Sequence, residues 1–103
     1  MNKSLIIMDQ ILDISERFRV ELKVYEVKSS MKYPDGIKVR FVLIDVIRKV
    51  PRLLLDNHSP YGFHIHEDLP KNKEMRRKLE MTDYIEALDE FWRLTKVITN
   101  NEN

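Results

Sequence analysis

The sequence predicts an α+β domain: an antiparallel sheet of about four to five strands, with a C-terminal helix packed on one face. Three observations lead there. Apolar and charged residues alternate throughout Phe18-Arg19-Val20-Glu21-Leu22-Lys23-Val24-Tyr25-Glu26, the period of a strand with one buried and one wet face. Shorter runs of the same kind recur between turn residues. After Thr82 the apolar spacing becomes helical. With 103 residues, 43% of them hydrophobic, the chain can close one modest core but not two. Residues 1–103 therefore read as a single domain, with a core over about 10–98 and a frayed polar tail over 99–103.

The elements follow in order. Ile11-Leu12-Asp13-Ile14 reads as the hairpin partner of the alternating strand. A helix from Leu5 to about Phe18 competes for the same residues, because Leu5, Met8, Leu12 and Ser15 approximate a helical stripe. Tyr33-Pro34-Asp35-Gly36 is a turn, in which Pro pre-sets φ and Asp-Gly tolerates positive φ. Ile37 to Ile44 is a strand that alternates at first and then becomes apolar on both faces, so its later half is central in the sheet. Arg48-Lys49-Val50-Pro51 turns the chain, and Pro51, lacking an N–H, belongs at a strand start or an edge. Arg52 to Asp56 is the next strand. Met75 to Met81 alternates again, with Met75, Leu79 and Met81 on one side. The helix runs from about Thr82, the expected N-cap, to Ile98, with Asp83 and Glu86 early and Arg93 and Lys96 late. Its packing stripe is Tyr84, Ile85, Leu88, Phe91, Trp92 and Thr95.

Composition excludes several classes of function. There is no cysteine, which removes disulfide scaffolds, thiolate metal sites and cysteine nucleophiles. No run approaches the ~18 apolar residues of a membrane span, and Asp9 interrupts the short apolar start that a secretory signal would extend. A cytoplasmic protein is expected, with no membrane partner. Two glycines cannot build a phosphate-cradling loop, and no serine-hydrolase motif is present.

The chemistry is concentrated between Asp56 and Asp68, which hold all three histidines. In His64-Ile65-His66, residues two apart on a strand project to the same side, about 6.5–7 Å apart. The pattern also arises when a strand buries its other phase, here Phe63 and Ile65, and leaves the histidines to solvent. His58, Asp56 and Glu67 add titratable groups to the same short segment. Two imidazoles side by side suit general acid–base chemistry. Cleavage of RNA by its own 2′-hydroxyl is the natural case: one histidine takes the 2′ proton and the other protonates the leaving 5′-oxygen. His64 and His66 are the candidate pair, with His58 beside them. Arg40, Arg52, Arg76 and Arg77 are the candidate cations for phosphate, and Tyr61 is placed to stack a base or bind a phosphate. A metal reading would use His64, His66 and either His58 or Asp56, but no fixed ligand motif accompanies them. No metal or other cofactor is expected.

Charge is near balance overall, at 18 basic and 17 acidic residues and a formal net charge of +1, but it is unevenly placed. Lys38, Arg40, Arg48, Lys49 and Arg52 stand against Asp45 alone, and Lys71, Lys73, Arg76, Arg77 and Lys78 against Glu74. Glu80, Asp83, Glu86, Asp89 and Glu90 have no base among them. Basic strands and an acidic helix favour an anionic partner such as RNA, or an acidic protein surface, over a neutral metabolite.

Leu54-Leu55-Asp56-Asn57-His58, then Gly62-Phe63-His64-Ile65-His66, an arginine-bearing strand and a helix beginning Asp-Tyr-Ile-Glu-Ala-Leu-Asp-Glu-Phe together resemble the TumE-like family of small prokaryotic proteins. The likeness spans roughly residues 20–95. Asp56, Asn57, Gly62, His64 and His66 are the matching positions; His58 and the Glu67-Asp68 pair fall outside them. The resemblance implies a toxin of a two-gene toxin–antitoxin module, with a helix-turn-helix antitoxin as its cognate partner. Asp56, Asn57 and Gly62 then support the histidines. The expected partners are the antitoxin, RNA and a second copy of the chain. Two other readings stay open: a non-enzymatic domain that binds nucleic acid or protein through its basic face, and a histidine-ligated metal-binding protein.

Overall fold

The computed structural model describes residues 5–102. They form a six-stranded antiparallel meander in chain order, followed by one helix. The strands are β1 (Leu5–Asp13), β2 (Phe18–Glu26), β3 (Ile37–Asp45), β4 (Val50–Asp56), β5 (His64–His66) and β6 (Arg77–Lys78); the helix α1 is Tyr84–Asn101. The fold is the expected α+β arrangement, with six strands in place of four to five.

Alternation in β2 and β3 decides the two faces. Phe18, Val20, Leu22 and Val24 of β2 face the helix with Val39, Phe41 and Leu43 of β3, Leu53 and Leu55 of β4, and Ile65 of β5, all at most 2% exposed. They stand in cross-strand rows, for example Leu22–Phe41–Leu55–Ile65. Onto them α1 lays Ala87, Phe91, Thr95 and Thr99, its buried residues. The rings of Phe41 and Phe91 meet with centroids 5.7 Å apart. Val42, on the opposite face, is also buried, as expected where β3 is apolar on both sides.

Four details differ from the sequence reading. Residues 5–13 are a strand longer than the expected one, and the competing helix does not form. β6 is only two residues long, and Met75 is exposed while Leu79 is buried. The N-cap is Asp83 rather than Thr82, with its carboxylate accepting from the Ile85 amide. On α1 the buried line runs through Ala87 and Thr99, and Ile85 faces solvent at 58% exposure. The contact line thus follows residues four apart, Ala87, Phe91, Thr95 and Thr99, rather than the largest side chains.

The expected tail is helical through Asn101, and Glu102 is anchored. Arg17 donates to the Glu102 carbonyl oxygen (2.8 Å) and to the buried Asp45 carboxylate (3.0 Å), and Arg52 donates to the Glu102 carboxylate (2.6 Å). The last turn of α1 contains no basic residue, so Arg17, just before β2, and Arg52 of β4 supply the cations its C-terminus favours. Burial pushes the Asp45 carboxyl upward, but hydrogen bonds from the Arg48 amide, Arg17 and the Ile47 amide outweigh it and hold its pKa below the usual value.

Truncation of Phe91 to Ala should cost about 3–5 kcal/mol in chemical denaturation, as a fully buried ring removed from the core. Leu88→Ala, at a half-buried position, should cost less than half of that.

Candidate functional site

The sheet face away from α1 is open, and the histidines lie on it. Asp56 pairs with His64 and Leu54 with His66, so both imidazoles project to the side opposite Leu55 and Ile65. One cross-strand row reads Asp9, Lys23, Arg40, Asp56, His64, Lys78. The next reads Ile11, Glu21, Val42, Leu54, His66.

Two loops fold onto this face. The first, residues 57–63, is built by side chains that imitate backbone. Asn57 accepts from the Val39 amide (2.9 Å) and donates to the Ile37 carbonyl (2.8 Å), extending the β3 ladder past the end of β4. Asp56 accepts from the amides of Asn57 (2.6 Å) and His58 (3.2 Å) and so bends the chain back. Gly62 has φ +65°, a conformation that favours glycine, and its carbonyl accepts from His64 Nδ1 at 2.7 Å. The second loop, residues 67–76, brings the Met75 carbonyl to 3.1 Å from His66 Nδ1.

The result is one aromatic cluster centred on His64. Its ring centroid lies 4.8 Å from His58, 5.4 Å from Tyr61 and 5.4 Å from His66, each edge to face. The Arg76 guanidinium sits 4.0 Å over the Tyr61 ring. Each histidine places Nδ1 on a backbone carbonyl: His58 on Ser59, His64 on Gly62 and His66 on Met75. A carbonyl only accepts, so each Nδ1 carries the proton and, in the neutral ring, each Nε2 is left as the acceptor. His64 is 1% exposed, and its Nε2 is buried without a partner. Burial holds its pKa below the ordinary histidine value; the Gly62 hydrogen bond and the Asp56 charge oppose this without reversing it. His58 and His66 are half-buried and line the opening.

The candidate residues thus separate into two groups. His58, Tyr61, His64, His66 and Arg76 come together, with Asp56, Asn57 and Gly62 as the local frame. Arg40 shares the face and the row of His64 and is exposed. Arg52 and Arg77 do not join them. Arg52 is tied to Glu102 beside the helix end, and Arg77, paired with Ile65 on the helix face, bonds to Glu67 (2.8 Å) and lies 3.7 Å from Glu90. One face of the Tyr61 ring is taken by Arg76, so stacking there would fall to the guanidinium. His64 was expected on a solvent face; it is on that face but sealed beneath the loops. Lys78, directly across from His64 and exposed, was not among the expected cations, although its phase opposite Leu79 marks it. Among the described residues no group of three His, Asp or Glu side chains converges as metal ligands do. Among them also, no helix is long and apolar enough to cross a membrane.

No family model, curated protein or solved structure matches the chain.

Burial of a neutral His64 couples stability to pH. Its folded pKa lies below the unfolded value of about 6.5, so the unfolded state binds more protons as acidity rises. The stability it contributes is present above pH ~6.5 and lost as pH falls toward the lower folded value. Urea denaturation between pH 7.5 and 5 should show this loss, and His64→Gln should flatten the slope in that window.

Proposed function

We propose that this protein is the toxin of a prokaryotic toxin–antitoxin module and that it cleaves RNA by histidine acid–base catalysis on the open face of its sheet. The observation that carries the reading is the cluster of three imidazoles, each fixed through Nδ1, with the half-buried His58 and His66 flanking the buried His64, beside Arg76 and along the row of Arg40. The positions shared with the TumE-like pattern support it. Asp56 and Asn57 shape the loop, Gly62 orients His64, and His64 and His66 form the centre of the cluster.

In this reading His58 and His66, which reach solvent, exchange protons with substrate, and His64 holds them apart as a neutral wedge. One outer imidazole takes the proton of the 2′-hydroxyl through its bare Nε2. The 2′-oxygen bonds to phosphorus, the bond from phosphorus to the 5′-oxygen breaks, and the other imidazole, protonated, delivers its proton to that oxygen. A 2′,3′-cyclic phosphate and a free 5′-hydroxyl result. Arg40 and Arg76 stabilise the charge that builds on the phosphoryl oxygens. No metal is needed, the site of action is the cytoplasm, and a helix-turn-helix antitoxin restrains the protein.

Purified protein should cut a single-stranded RNA in excess EDTA and leave cyclic-phosphate ends. His66→Ala should lower turnover by about 10²–10⁴ while RNA binding persists. In cells, expression alone should arrest growth, and His66→Ala should relieve the arrest. A domain that only binds would show no cleavage and a change in affinity alone, and loss of cleavage in EDTA would point to the metal reading.

A further inference from the structure

β1 is the long edge of the sheet, and it lacks the usual protection of an edge. It runs for nine residues and contains neither lysine nor proline. Leu5, Ile6, Ile7, Ile11, Leu12 and Ile14, on and just beyond it, are 39–65% exposed. Ile6 and Ile11 share the open face with Tyr25 and Glu21, while Leu12 lies on the helix side opposite Val20. Met8 alone is half-buried against the core, so the strand leaves large apolar side chains exposed on both faces, which a lone soluble domain avoids. A register shift between Ile6 and Met8 interrupts its first residues, but from Met8 to Asp13 the pairing with β2 is regular.

We propose that β1 pairs antiparallel with β1 of a second copy, joining two sheets into one of twelve strands across a two-fold axis. Charge selects this occupant. Each acid of β1 has a basic neighbour within the chain: Asp13 is bonded to Arg19 at 3.0 Å, and Asp9 stands opposite Lys23 in the register. The edge thus asks for apolar, uncharged surface, which a second β1 supplies. An antiparallel strand edge is also self-complementary under a two-fold, since each N–H of one copy meets a C=O of the other. The six exposed side chains offer roughly 600 Å² on each copy, near the ~800 Å² per partner of a standard interface. The axis stands perpendicular to the sheet. Both helices then lie on one side and both histidine clusters on the other, with Lys23 and Arg40 of each copy between them. The dimer does not depend on the activity proposed above.

Sedimentation equilibrium of the intact protein over a micromolar concentration series should give twice the chain mass. Ile11→Lys with Leu12→Lys should sediment as a monomer with unchanged circular dichroism. The chain has no cysteine, so single cysteines report the contact even if that variant fails to fold. At least one of Asp9→Cys, Gln10→Cys and Ile11→Cys should form a disulfide-linked dimer, and Lys73→Cys, at the far side, should not. A wild-type monomer throughout the series overturns the proposal and leaves the edge to a strand of a different protein. A dimer that survives the paired lysines, or the absence of any cross-link along β1, overturns it as well.

Discussion

A single helix covers a six-stranded sheet on one side only, and the rest of the molecule answers to that constraint. α1 buries the helix-side rows of β2 to β5, and Arg17, Arg52 and Glu102 lock its C-terminal end to the sheet. The other face has no second layer. Where β4 and β5 lie, loops 57–63 and 67–76 supply one, and the side chains they press together are the histidines. Where β1 lies, no described residue supplies one, and apolar side chains stay exposed on both sides of the strand. The site and the exposed edge are two consequences of the same shortage of covering structure.

That origin explains the chemistry of the cluster. A loop folded over a sheet must satisfy its own backbone, and here several carbonyls do so by accepting from imidazole Nδ1. Satisfying the backbone in this way also fixes the tautomers. His64 pays the desolvation penalty, as a neutral ring with an orphaned Nε2, while His58 and His66 keep an opening to solvent. Arg76 is drawn in by the face of Tyr61 rather than by a carboxylate, so it stays available to an anion. Arg77, one residue on, is committed to Glu67 and Glu90.

What the sequence made legible follows the same division. β2 and β3 were readable because one face is buried and one is wet, so the period shows. β1 was ambiguous between strand and helix because both of its faces are exposed and neither period marks a buried stripe. On α1, Ala87 and Thr99 escaped notice because the buried line runs through residues four apart, and a search for large apolar side chains passes over small ones. That His64 and His66 share a face was legible from spacing alone; the burial of His64 was not, since it depends on how the preceding loop folds His58 and Tyr61 back onto it. Arg52 was misplaced because it falls where the β3–β4 register shifts opposite Leu43 and Ile44. Arg77 was readable in principle, since it shares its phase with the buried Leu79.

The central claim is that the covering loops hold the three imidazoles as Nδ1–H tautomers with a neutral, buried His64 at the middle. Long-range proton–nitrogen correlation spectra of the ¹⁵N-labelled protein test it directly. Each of the three rings, in its neutral form, should show a protonated Nδ1 and a bare Nε2. On acidification His64 should remain neutral at a pH where an ordinary histidine, with pKa about 6.5, is already half protonated. An Nε2–H tautomer at His64, or an imidazolium there at neutral pH, would contradict the account.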